Sequence, residues 1–557
     1  MEFLERADVV VIGSGLAGLV AALEADRCGV TVALLSRGEI GSGNTELASG
    51  GLAAVTGIDP GDTPDLHLAD IQRSARGLEF PDIARVFVDE AGDAIRSLER
   101  FGAKFARTEK SLQLFMAPGH SRARSIRCEG GGTSNLLKPL LARVSESSIR
   151  CISRVTVIEI ERDEENRVSG VILLDEKGRT YCIAAKAVVL ACGGLGQLFP
   201  LTSNSSVATG SGYYLALKAG AILTDLEFVQ FTPTSLAYPP EVRGTSTGGG
   251  LLAQKGVRLL NAHGERFMPA YDERAEAATR DVVARAIHRE IKAGRGSDHG
   301  AVYVDMSAAD RKAVAQVSGR FLRAMEKIGV DPYSSRVEVA PDVHFAMGGV
   351  AIDSDGWTGV PGLFAAGEIA AGLHGATRLN SNGLTEAVVF GQRAGGAAAE
   401  GKAAPAWRFA GGRETVGICR FIAHDPRGDS AEGLQKEAIS LPEIPVPSAP
   451  SVGPTIEDRV EELRVELRLA LATGAGIERD GATTANAIAN HARLSPELAL
   501  VDRRTAIGFD LEARYVVSGL VLRAVEARTE SRGAHFRTDF PNQLESWGTH
   551  ICFALGS

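Results

Sequence analysis

A glycine-rich turn near the start of the chain has the spacing of a phosphate cradle. The sequence Gly13-Ser14-Gly15-Leu16-Ala17-Gly18 stands between a β-branched run at 8–12 and an apolar, helix-forming segment at 19–25. In a strand–turn–helix–strand unit the first glycine permits the tight turn, the second lets the backbone approach a pyrophosphate, and the third lets the helix pack on the strand. The helix N-terminus then faces the phosphates. The spacing therefore predicts a dinucleotide site at these six residues.

Two later strands decide which dinucleotide the chain binds. The strand after the cradle ends in Ser36-Arg37 instead of an acidic residue, so the motif alone does not separate FAD from NAD. A buried run at 186–194 ends in Gly-Gly, and another at 359–368 ends in Glu368, whose carboxylate can accept hydrogen bonds from ribose hydroxyls. These pieces lie far apart in the chain. We therefore predict a doubly wound α/β fold for FAD that is assembled from discontinuous segments, with an inserted domain between about 227 and 343.

Composition excludes several other classes of protein. The 557 residues carry a formal net charge of −9, which argues against nucleic acid as a partner because phosphate binding needs a basic surface. The sequence has no uncharged apolar run long enough to suggest a membrane span, and the acidic N-terminus lacks the features of a signal peptide. None of the seven cysteines forms a C-x-x-C pair, so we expect reduced thiols, no metal site and a cytoplasmic location.

A set of motifs in fixed order resembles one flavoprotein family. The chain is similar to the flavoprotein subunits of succinate dehydrogenase and fumarate reductase and to L-aspartate oxidase. The motifs cover nearly the whole chain: the Gly13–Gly18 turn, 45–51, Gly119-His120-Ser121, 226–231, 264–268, 279–287, 344–349, Gly367-Glu368, 374–382 and 530–535.

The resemblance implies a domain layout. An FAD-binding domain spans 1–226 and 344–405, an α+β capping domain spans 227–343, and a helical C-terminal domain spans 456–557. The sequence itself indicates a linker before the last domain, because residues 441–455 hold five prolines. We assign 406–455 to this linker region. Beyond it, residues 456–472 have charged and apolar residues at helical spacing.

The resemblance also implies which residues hold the cofactor. In flavinylated members a histidine carries the FAD covalently, and the matching position here is Asn44, so we expect non-covalent FAD. A helix that begins near Ser381 is expected to point at flavin N1 and O2, where its N-terminus would stabilise the reduced, anionic flavin. Together with the six turn residues, the predicted FAD contacts are Ser36, Arg37, Asn44, Thr45, Ser49, Gly50, Gly51, Ala191, Gly193, Glu368, Ser381, Asn382 and Leu384.

Three residues match the catalytic positions of the family. Members move a hydride between flavin N5 and a carbon next to a carboxylate. Arg378 matches the arginine that clamps the substrate carboxylate, and His344 matches a substrate-contacting histidine. Arg280 matches the proposed proton donor or acceptor, a role that needs a dry site and a relay partner such as Asp281 or a neighbouring Glu. Each residue also has a structural alternative. Arg280 could form a salt bridge with Asp281, His344 could be a core histidine, and Arg378 could be a structural arginine of a loop.

Departures from the family pattern cluster at one end of the substrate. Thr232 replaces a histidine that hydrogen-bonds a substrate carboxylate, and Met116-Ala117-Pro118 stands where L-aspartate oxidase has an acidic residue. Losing an ionic hydrogen bond costs about 1.5–3 kcal/mol. We therefore expect a small organic acid other than plain succinate or L-aspartate, bound by Thr232, Arg378 and His344. The alternative is that Lys255, Thr245 or Ser246 restores the missing contact.

Two classes of function remain open from the sequence. One is a flavoenzyme that desaturates or reduces an activated C–C bond, or oxidises a C–N bond as L-aspartate oxidase does. The other is a subunit that passes electrons to an iron–sulfur protein. This second class is suggested by Trp547, His550 and the 530–535 motif, which resemble those of the respiratory subunits, and it is disfavoured by Asn44. For the 530–535 motif itself, structural packing is the favoured interpretation. The sequence names no electron acceptor.

Overall fold

The structure is a computed structural model that describes residues 2–48, 51–402, 416–421, 437–439 and 456–555. Ser49 and Gly50, both predicted FAD contacts, lie outside the described residues. The chain divides into two compact units. The first unit comprises Met1–Leu198, Ser205–Phe228 and Ala346–Ser557, and the second comprises Phe199–Asn204 and Val229–Phe345.

The strands are numbered along the chain. They are β1 Glu2–Ile12, β2 Val32–Leu35, β3 Gly51–Ala53, β4 Leu114–Phe115, β5 Ser125–Arg127, β6 Arg150–Ile152, β7 Thr156–Arg162, β8 Val168–Leu174, β9 Thr180–Leu190, β10 Leu223–Thr224, β11 Val229–Leu236, β12 Arg258–Leu260, β13 Val302–Asp305, β14 Val337–Ala346, β15 Gly349–Ala351, β16 Leu363–Ala365, β17 Ala370–Ala371, β18 Val416–Phe421, β19 Glu437–Ile439 and β20 His550–Phe553.

The α-helices are numbered in the same way. They are α1 Leu16–Arg27, α2 Asn44–Leu47, α3 Pro64–Ala75, α4 Pro81–Phe101, α5 Ser134–Glu146, α6 Ser211–Lys218, α7 Arg280–Glu290, α8 Arg311–Val317, α9 Gly319–Lys327, α10 Asn382–Glu400, α11 Ile456–Gly474, α12 Gly481–Ala492, α13 Ser495–Leu498 and α14 Ala506–Ala527.

A largely parallel sheet forms the centre of the first unit. The strands run in the order β6-β2-β1-β9-β8-β7, and β16 pairs with the end of β9. Strand β1 is parallel to both β2 and β9, and Val9, Val10 and Val11 are fully buried in it. Such a run of buried β-branched residues is expected for a parallel strand that is covered on both faces. The carboxyl ends of β1, β9 and β16 lie side by side, as the pairing of Ile12 with Leu190 and of Leu190 with Ala365 requires.

Helices α1 and α10 approach each other closely in the first unit. A Cβ atom on Gly391 would lie 2.8 Å from the Ala17 carbonyl oxygen, and one on Gly395 would lie 2.3 Å from that of Ala21. Glycine at these two positions of α10 therefore lets the helix backbones touch. This contact fixes the first residues of α10 relative to the turn that precedes α1.

Two smaller sheets and a helical region complete the first unit. The smaller sheets have the orders β17-β15-β10-β20-β18-β19 and β3-β5-β4. Helices α11 and α14 share an apolar core with α13 that includes Leu463, Leu467, Leu511 and Tyr515. Strands β18 and β19 fall within the predicted linker region 406–455. The other residues of that region lie outside the described residues.

The second unit is a four-stranded sheet with helices. Its strand order is β11-β14-β13-β12, and β13 is antiparallel to both β12 and β14. Its core is apolar and includes Leu236, Ile287, Val304, Phe321 and Val339. Across the described part of both units, no helix combines the length and the apolar character that a bilayer crossing needs.

Candidate active site

Packing explains two of the three glycines in the turn after β1. Gly13 has a φ of +111°, and a Cβ atom there would lie 2.2 Å from the Ala191 carbonyl oxygen. A Cβ atom on Gly18 would lie 1.8 Å from the Gly13 carbonyl oxygen. Gly15 differs, because its Cβ position meets only the Thr45 hydroxyl, at 3.4 Å. The protein therefore leaves room beside Gly15 for the backbone to approach a ligand.

The N-terminus of α1 carries no side-chain cap. Gly15 is the N-cap residue, and the Leu16 N–H donates to Thr45 Oγ1 at 3.0 Å. Leu16, Ala17 and Gly18 are all buried in the first turn. Unpaired N–H groups and the helix dipole make such an end favourable for an anion. The remaining N–H groups of this first turn are therefore suited to bind a pyrophosphate.

Ser14, Ser36 and Arg37 brace the loop after β2. The Ser14 hydroxyl donates to Ser36 Oγ at 2.9 Å and accepts from the Gly41 N–H at 3.0 Å. Arg37 donates to Thr209 Oγ1 at 2.7 Å and pairs with Asp510 at 3.1 Å. The guanidinium of Arg37 is thus already bonded to side chains of the protein itself.

Asn44 and Glu368 form a hydrogen-bonded pair at the end of β16. The Asn44 amide donates to Glu368 Oε2 at 3.0 Å, and its oxygen accepts from the Ser205 N–H at 2.8 Å. The Ala346 N–H donates to Glu368 Oε1 at 3.2 Å. Burial raises the pKa of Glu368 to about 7, against the opposing effects of Asn44, Ala346 and the Arg378 charge. The carboxylate would be stabilised by further hydroxyl donors, such as those of a ribose.

The N-terminus of α10 meets strand β3. Ser381 is the N-cap residue, with a φ of +66° and no side-chain cap, and its carbonyl accepts from the Ala53 N–H at 2.9 Å. A Cβ atom on Gly51 would lie 2.7 Å from Ser381 Oγ. Asn382 is fully buried and bonds His67 Nε2 at 3.2 Å, whereas Leu384 is half-buried. The open first turn of α10 is a second place suited to negative charge.

These features fit a bound FAD. The uncapped turn of α1, the space beside Gly15, the carboxylate of Glu368 and the uncapped turn of α10 all belong to the first unit. Gly193, with a φ of +73°, has no atom within 4 Å of its Cβ position, so the backbone there is open to a ligand as well. The residues present would bind pyrophosphate, ribose hydroxyls and an anionic ring.

In the second unit, Thr232 is bound to a buried carboxylate. The Thr232 hydroxyl donates to Asp342 Oδ1, and the Ser235 hydroxyl donates to the same oxygen at 2.8 Å. Asp342 is fully buried, and burial raises its pKa to about 6 despite the opposing effects of the Ser203, Thr232 and Ser235 hydroxyls. Because Thr232 gives its only hydroxyl proton to Asp342, its oxygen can act toward a ligand only as an acceptor.

His344 lies on the same strand as Asp342, two residues further on. Alternation along a strand places these two side chains on one face of the sheet. His344 Nδ1 and Ser203 Oγ form a hydrogen bond at 3.1 Å, and the His344 carbonyl accepts from the Asn204 amide at 2.9 Å. The imidazole is half-buried.

Arg280 begins helix α7 and is also half-buried. The structural alternative for Arg280, a salt bridge with Asp281, is not what the structure has: Asp281 pairs with Arg285 at 2.8 Å. Within the described part of its unit, no acceptor bonds the Arg280 guanidinium, and burial lowers its pKa from the usual value. A Cβ atom on Gly249 would lie 2.4 Å from Arg280 Nη2. Arg280 is thus a partly desolvated cation that is available for a ligand.

Arg378 directly follows a loop of the first unit, 374–377, that is held by hydrogen bonds from two other segments. The Ser74 hydroxyl donates to the Thr377 carbonyl at 2.8 Å, and the Ala534 N–H donates to the Ala376 carbonyl at 3.0 Å. Within the loop, His374 bonds Glu386 at 2.9 Å. Arg378 is half-buried, and its positive charge is among the effects that lower the pKa of Glu368.

The 530–535 motif packs into the interior. Arg532 pairs with Glu530 at 2.6 Å and donates to the Leu544 carbonyl at 2.8 Å. His535 accepts from Arg479 at 2.6 Å, and burial together with the nearby arginines holds its pKa well below its usual range. These contacts give Arg532 and His535 structural roles, with Gly533-Ala534 lying against the loop before Arg378.

The structure divides the predicted substrate residues between the units. Thr232, Arg280 and His344 belong to the second unit, and Arg378 belongs to the first. Lys255, one of the alternative donors, is exposed, and Ser246 Oγ accepts from the Gly248 N–H at 3.2 Å. Sequence reasoning missed Asp342 and Ser203. Asp342 had a signal, because an acidic residue in the apolar strand that ends in His344 needs buried partners.

Comparisons with known proteins bear on this arrangement. Residues 8–384 match the family model described as FAD binding domain, and residues 464–555 match the one described as fumarate reductase flavoprotein C-term. A fumarate reductase (CoM/CoB) subunit from Methanothermobacter marburgensis is 35% identical over 98% of this chain and 97% of its own length.

Two further relatives cover nearly the whole chain. A protein named L-aspartate oxidase, from Streptomyces coelicolor, is 34% identical over 99% of this chain and 91% of its own length. The solved structure of Mycobacterium smegmatis Sdh1 in complex with UQ1 is similar, with a TM-score of 0.81 and 31% identity over 98% of this chain and 91% of that chain. The predicted α/β fold class, with capping and helical C-terminal domains, is confirmed by these similarities.

Proposed function

Because the chain belongs to the family of FAD-dependent oxidoreductases that includes fumarate reductase flavoproteins and L-aspartate oxidases, we propose that it oxidises or reduces a small organic acid at the carbon next to its carboxylate. The flavin, when bound, supplies the hydride acceptor or donor. One observation carries the proposal: Arg280 is a half-buried cation without a bonding partner in the described part of its unit. Structural arginines that are removed from water are normally paired.

The cofactor residues of the proposal are those of the first unit. The first turn of α1 and Gly15 would bind the pyrophosphate, and Glu368 would accept the ribose hydroxyls. The first turn of α10, from Asn382 onward, would stabilise negative charge on the ring. Asn44 cannot form the covalent bond that a histidine forms in flavinylated members, so the FAD is held non-covalently.

The protein's own residues divide the work on the substrate. Arg378 binds the carboxylate through two parallel N–H donors and orients the reacting carbon. His344 contacts the same end, and its orientation is held by Ser203. Arg280 holds or moves the proton at the neighbouring carbon, a role that burial favours because it lowers the pKa of the guanidinium.

The substrate class follows from Thr232. A second carboxylate needs a hydrogen-bond donor, and the Thr232 hydroxyl already donates to Asp342. A buried carboxylate behind this position also disfavours a second negative charge. We therefore propose that the substrate has one carboxylate, or a carbonyl in its place, and that its other end is uncharged or a hydrogen-bond donor. Succinate and L-aspartate each have a second carboxylate.

Anaerobic flavin reduction tests this function. Purified holoenzyme is mixed without oxygen with a panel of monocarboxylic and cyclic keto acids, and the loss of oxidised-flavin absorbance is followed. The proposal expects rapid loss with at least one acid, and at least about a hundredfold slower loss in an Arg378→Gln variant that still binds FAD. Equal rates in the two proteins would show that Arg378 does not bind the substrate.

The second candidate is a flavoprotein that passes electrons to an iron–sulfur partner as one part of a larger complex. The relative named as a fumarate reductase (CoM/CoB) subunit favours it. Against it, Trp547 and His550 are buried, with His550 bonded to Asp225 at 2.6 Å, so neither offers a surface to a partner. Affinity purification of the tagged chain from its native cell separates the two, because an iron–sulfur protein recovered in equal amount supports the second candidate. A cytoplasmic location is part of the first proposal.

A further inference from the structure

A fully buried arginine joins three side chains in the first unit. Arg124 Nε and Nη2 donate to the two oxygens of Asp62 at 3.0 and 2.6 Å. Arg124 Nη1 donates to Asp70 Oδ2 and also to His120 Nδ1, the latter at 3.0 Å. All four of these side chains are buried. The guanidinium therefore binds two carboxylates and directs one further N–H at the imidazole of His120.

The two ring nitrogens of His120 have partners of fixed character. An arginine side chain has only donors, so the contact with Arg124 makes His120 Nδ1 an acceptor. His120 Nε2 lies 2.6 Å from the Asn380 carbonyl oxygen, which can only accept. Nε2 must therefore carry the ring proton. The contacts thus define His120 as a neutral imidazole that accepts from Arg124 and donates to Asn380.

The charges around His120 agree with a neutral ring. Arg124 is in direct contact with it, and Asp62 and Asp70 are both bound to Arg124. His67, on α3, has its ring centre 5.6 Å from that of His120, and burial lowers the pKa of His67 to about 3. Burial also lowers the pKa of His120 from its usual value. A proton on Nδ1 would break the bond from Arg124 and place two cations side by side.

The loop that carries His120 is anchored on α3. The Ser121 N–H and the Ser121 hydroxyl both donate to Asp70 Oδ2 at 2.8 Å. Arg73 pairs with the same carboxylate and donates to the Gly119 carbonyl at 2.9 Å. The residues on either side of His120 are therefore bound to one helix, which fixes the base of the imidazole.

The Asn380 carbonyl belongs to the turn that begins α10. The next residue, Ser381, is the N-cap and has a φ of +66°, a conformation that costs about 1 kcal/mol or more and persists only where the surroundings hold it. Ser381 Oγ bonds Ser125 Oγ at 2.9 Å, and the Ser381 carbonyl accepts from the Ala53 N–H at 2.9 Å. His120 adds a third contact, one residue earlier, and so helps to hold this strained turn.

We propose that His120 is a positioning residue for the flavin: as a neutral donor fixed by Arg124, it binds the Asn380 carbonyl and thereby keeps the first turn of α10 in place for negative charge on the ring. The inference rests on the proposed function only for the location of the ring at α10. Because a helix N-terminus stabilises negative charge, displacement of this turn should make the flavin harder to reduce. The position of the ring proton follows from contacts within the first unit alone.

Nitrogen spectra of labelled holoenzyme test the state of the imidazole. Protein labelled with 15N-histidine is measured at several pH values, and two-bond proton–nitrogen spectra show which ring nitrogen carries a proton. The His120 signal is identified among the 11 histidines by its loss in His120→Gln. We expect the neutral Nε2–H form at about pH 6.5, where roughly half of an unperturbed histidine is charged. A neutral Nδ1–H form or a charged ring at that pH overturns the proposal.

Flavin potentials of two variants test the positioning role with no substrate present. An asparagine amide overlaps Nδ1 of a histidine, so His120→Asn keeps the acceptor for Arg124 and loses the donor to Asn380. A glutamine amide reaches the position of Nε2, so His120→Gln keeps that donor. Each holoenzyme is equilibrated without oxygen with a reference dye. At a fixed potential the ratio of reduced to oxidised flavin should fall about tenfold in His120→Asn, about 30 mV for a two-electron couple. His120→Gln should keep the wild-type ratio.

The matched control is His263→Asn, because His263 is exposed and belongs to the second unit. It should leave the flavin potential unchanged. An unchanged potential in His120→Asn overturns the proposal, as does an equal shift in the asparagine and glutamine variants. Loss of FAD from both variants overturns it as well, because the glutamine is expected to hold the turn. None of these results depends on Arg378 or on turnover of an organic acid, so they are distinct from a failure of the proposed function.

Discussion

The side-chain amide of Asn44 donates to the carboxylate of Glu368 at 3.0 Å. The amide oxygen is used as well, because it accepts from the Ser205 N–H at 2.8 Å. Asn44 thus holds the carboxylate at the end of β16 and connects it to the start of the segment 205–228. The position that matches the covalently flavinylated histidine of some family members here orients the carboxylate of Glu368, which we propose binds the cofactor.

We expect the affinity for FAD to rise with pH up to about pH 7. Burial raises the pKa of Glu368 from 4.5 to about 7. The stability that protonation of Glu368 gives the FAD-free protein is therefore fully present below about pH 4.5, and it is lost as the pH rises through about 7. Ribose hydroxyls donate more strongly to the ionised carboxylate than to the protonated carboxyl group. Fluorescence titrations of FAD should show affinity falling by up to about tenfold per pH unit below pH 7.

The control for this pH dependence is Glu368→Gln, which removes the titrating group. Its affinity for FAD should be weaker than that of the wild type at pH 8 and nearly constant from pH 6 to pH 8, an interval chosen to span the titration by about one unit on each side. A pH dependence that persists in Glu368→Gln would assign the effect to another group.

Replacing Arg378 should impair catalysis and leave FAD binding intact. Arg378→Lys keeps the charge and loses the planar pair of donors, so kcat/KM should fall about 10²-fold or more. The control is Arg96→Lys, since Arg96 forms an exposed pair with Asp93 that contributes little. Steady-state kinetics with the best acid of the panel provides the measurement, and equal kcat/KM in both variants would contradict the role of Arg378.

Arg280→Gln should lower kcat more than it raises KM. The loss of a general acid or base reduces the rate about 10²–10⁴-fold, while the carboxylate contact of Arg378 remains. Arg274 is a suitable control, because it is exposed and pairs with Asp272 at 2.9 Å. Single-turnover flavin reduction separates the chemical step from binding. If Arg280→Gln and Arg274→Gln reduce flavin at the same rate, Arg280 does not move the proton.

Gly533→Ala should displace the loop that precedes Arg378. Gly533 has a φ of +54°, and a Cβ atom there would lie 2.4 Å from both the Ala376 carbonyl oxygen and Thr377 Oγ1. We expect KM to rise about tenfold, equivalent to about 1.4 kcal/mol of lost binding, with FAD content unchanged.

Gly29→Ala is the matched control for that change. Gly29 also has a positive φ, +82°, but no atom lies within 4 Å of its Cβ position. It should lower the melting temperature through backbone strain of about 1 kcal/mol and leave KM unchanged. A similar KM in the two alanine variants would show that the 532–535 turn does not position Arg378.

Local spacing made the cradle predictable, whereas the substrate site required the fold. Gly13 and Gly18 contact each other within one turn, so sequence alone indicates why both are glycine. Ser203, by contrast, forms a hydrogen bond with His344 from 141 residues away in the chain. The pairing of Thr232 with Asp342 spans 110 residues, and no periodic pattern connects them. The roles of Arg280, His344 and Arg378 stay predictions that the experiments above test.

The most direct test of the account is anaerobic flavin reduction by dicarboxylic acids compared with monocarboxylic and cyclic keto acids. Because the Thr232 hydroxyl donates to Asp342, we propose that it offers no donor to a second carboxylate. We therefore expect holoenzyme to keep its oxidised-flavin absorbance with succinate and L-aspartate and to lose it with an acid that has a single carboxylate or a carbonyl in its place. Rapid loss of that absorbance with succinate or L-aspartate would contradict the account.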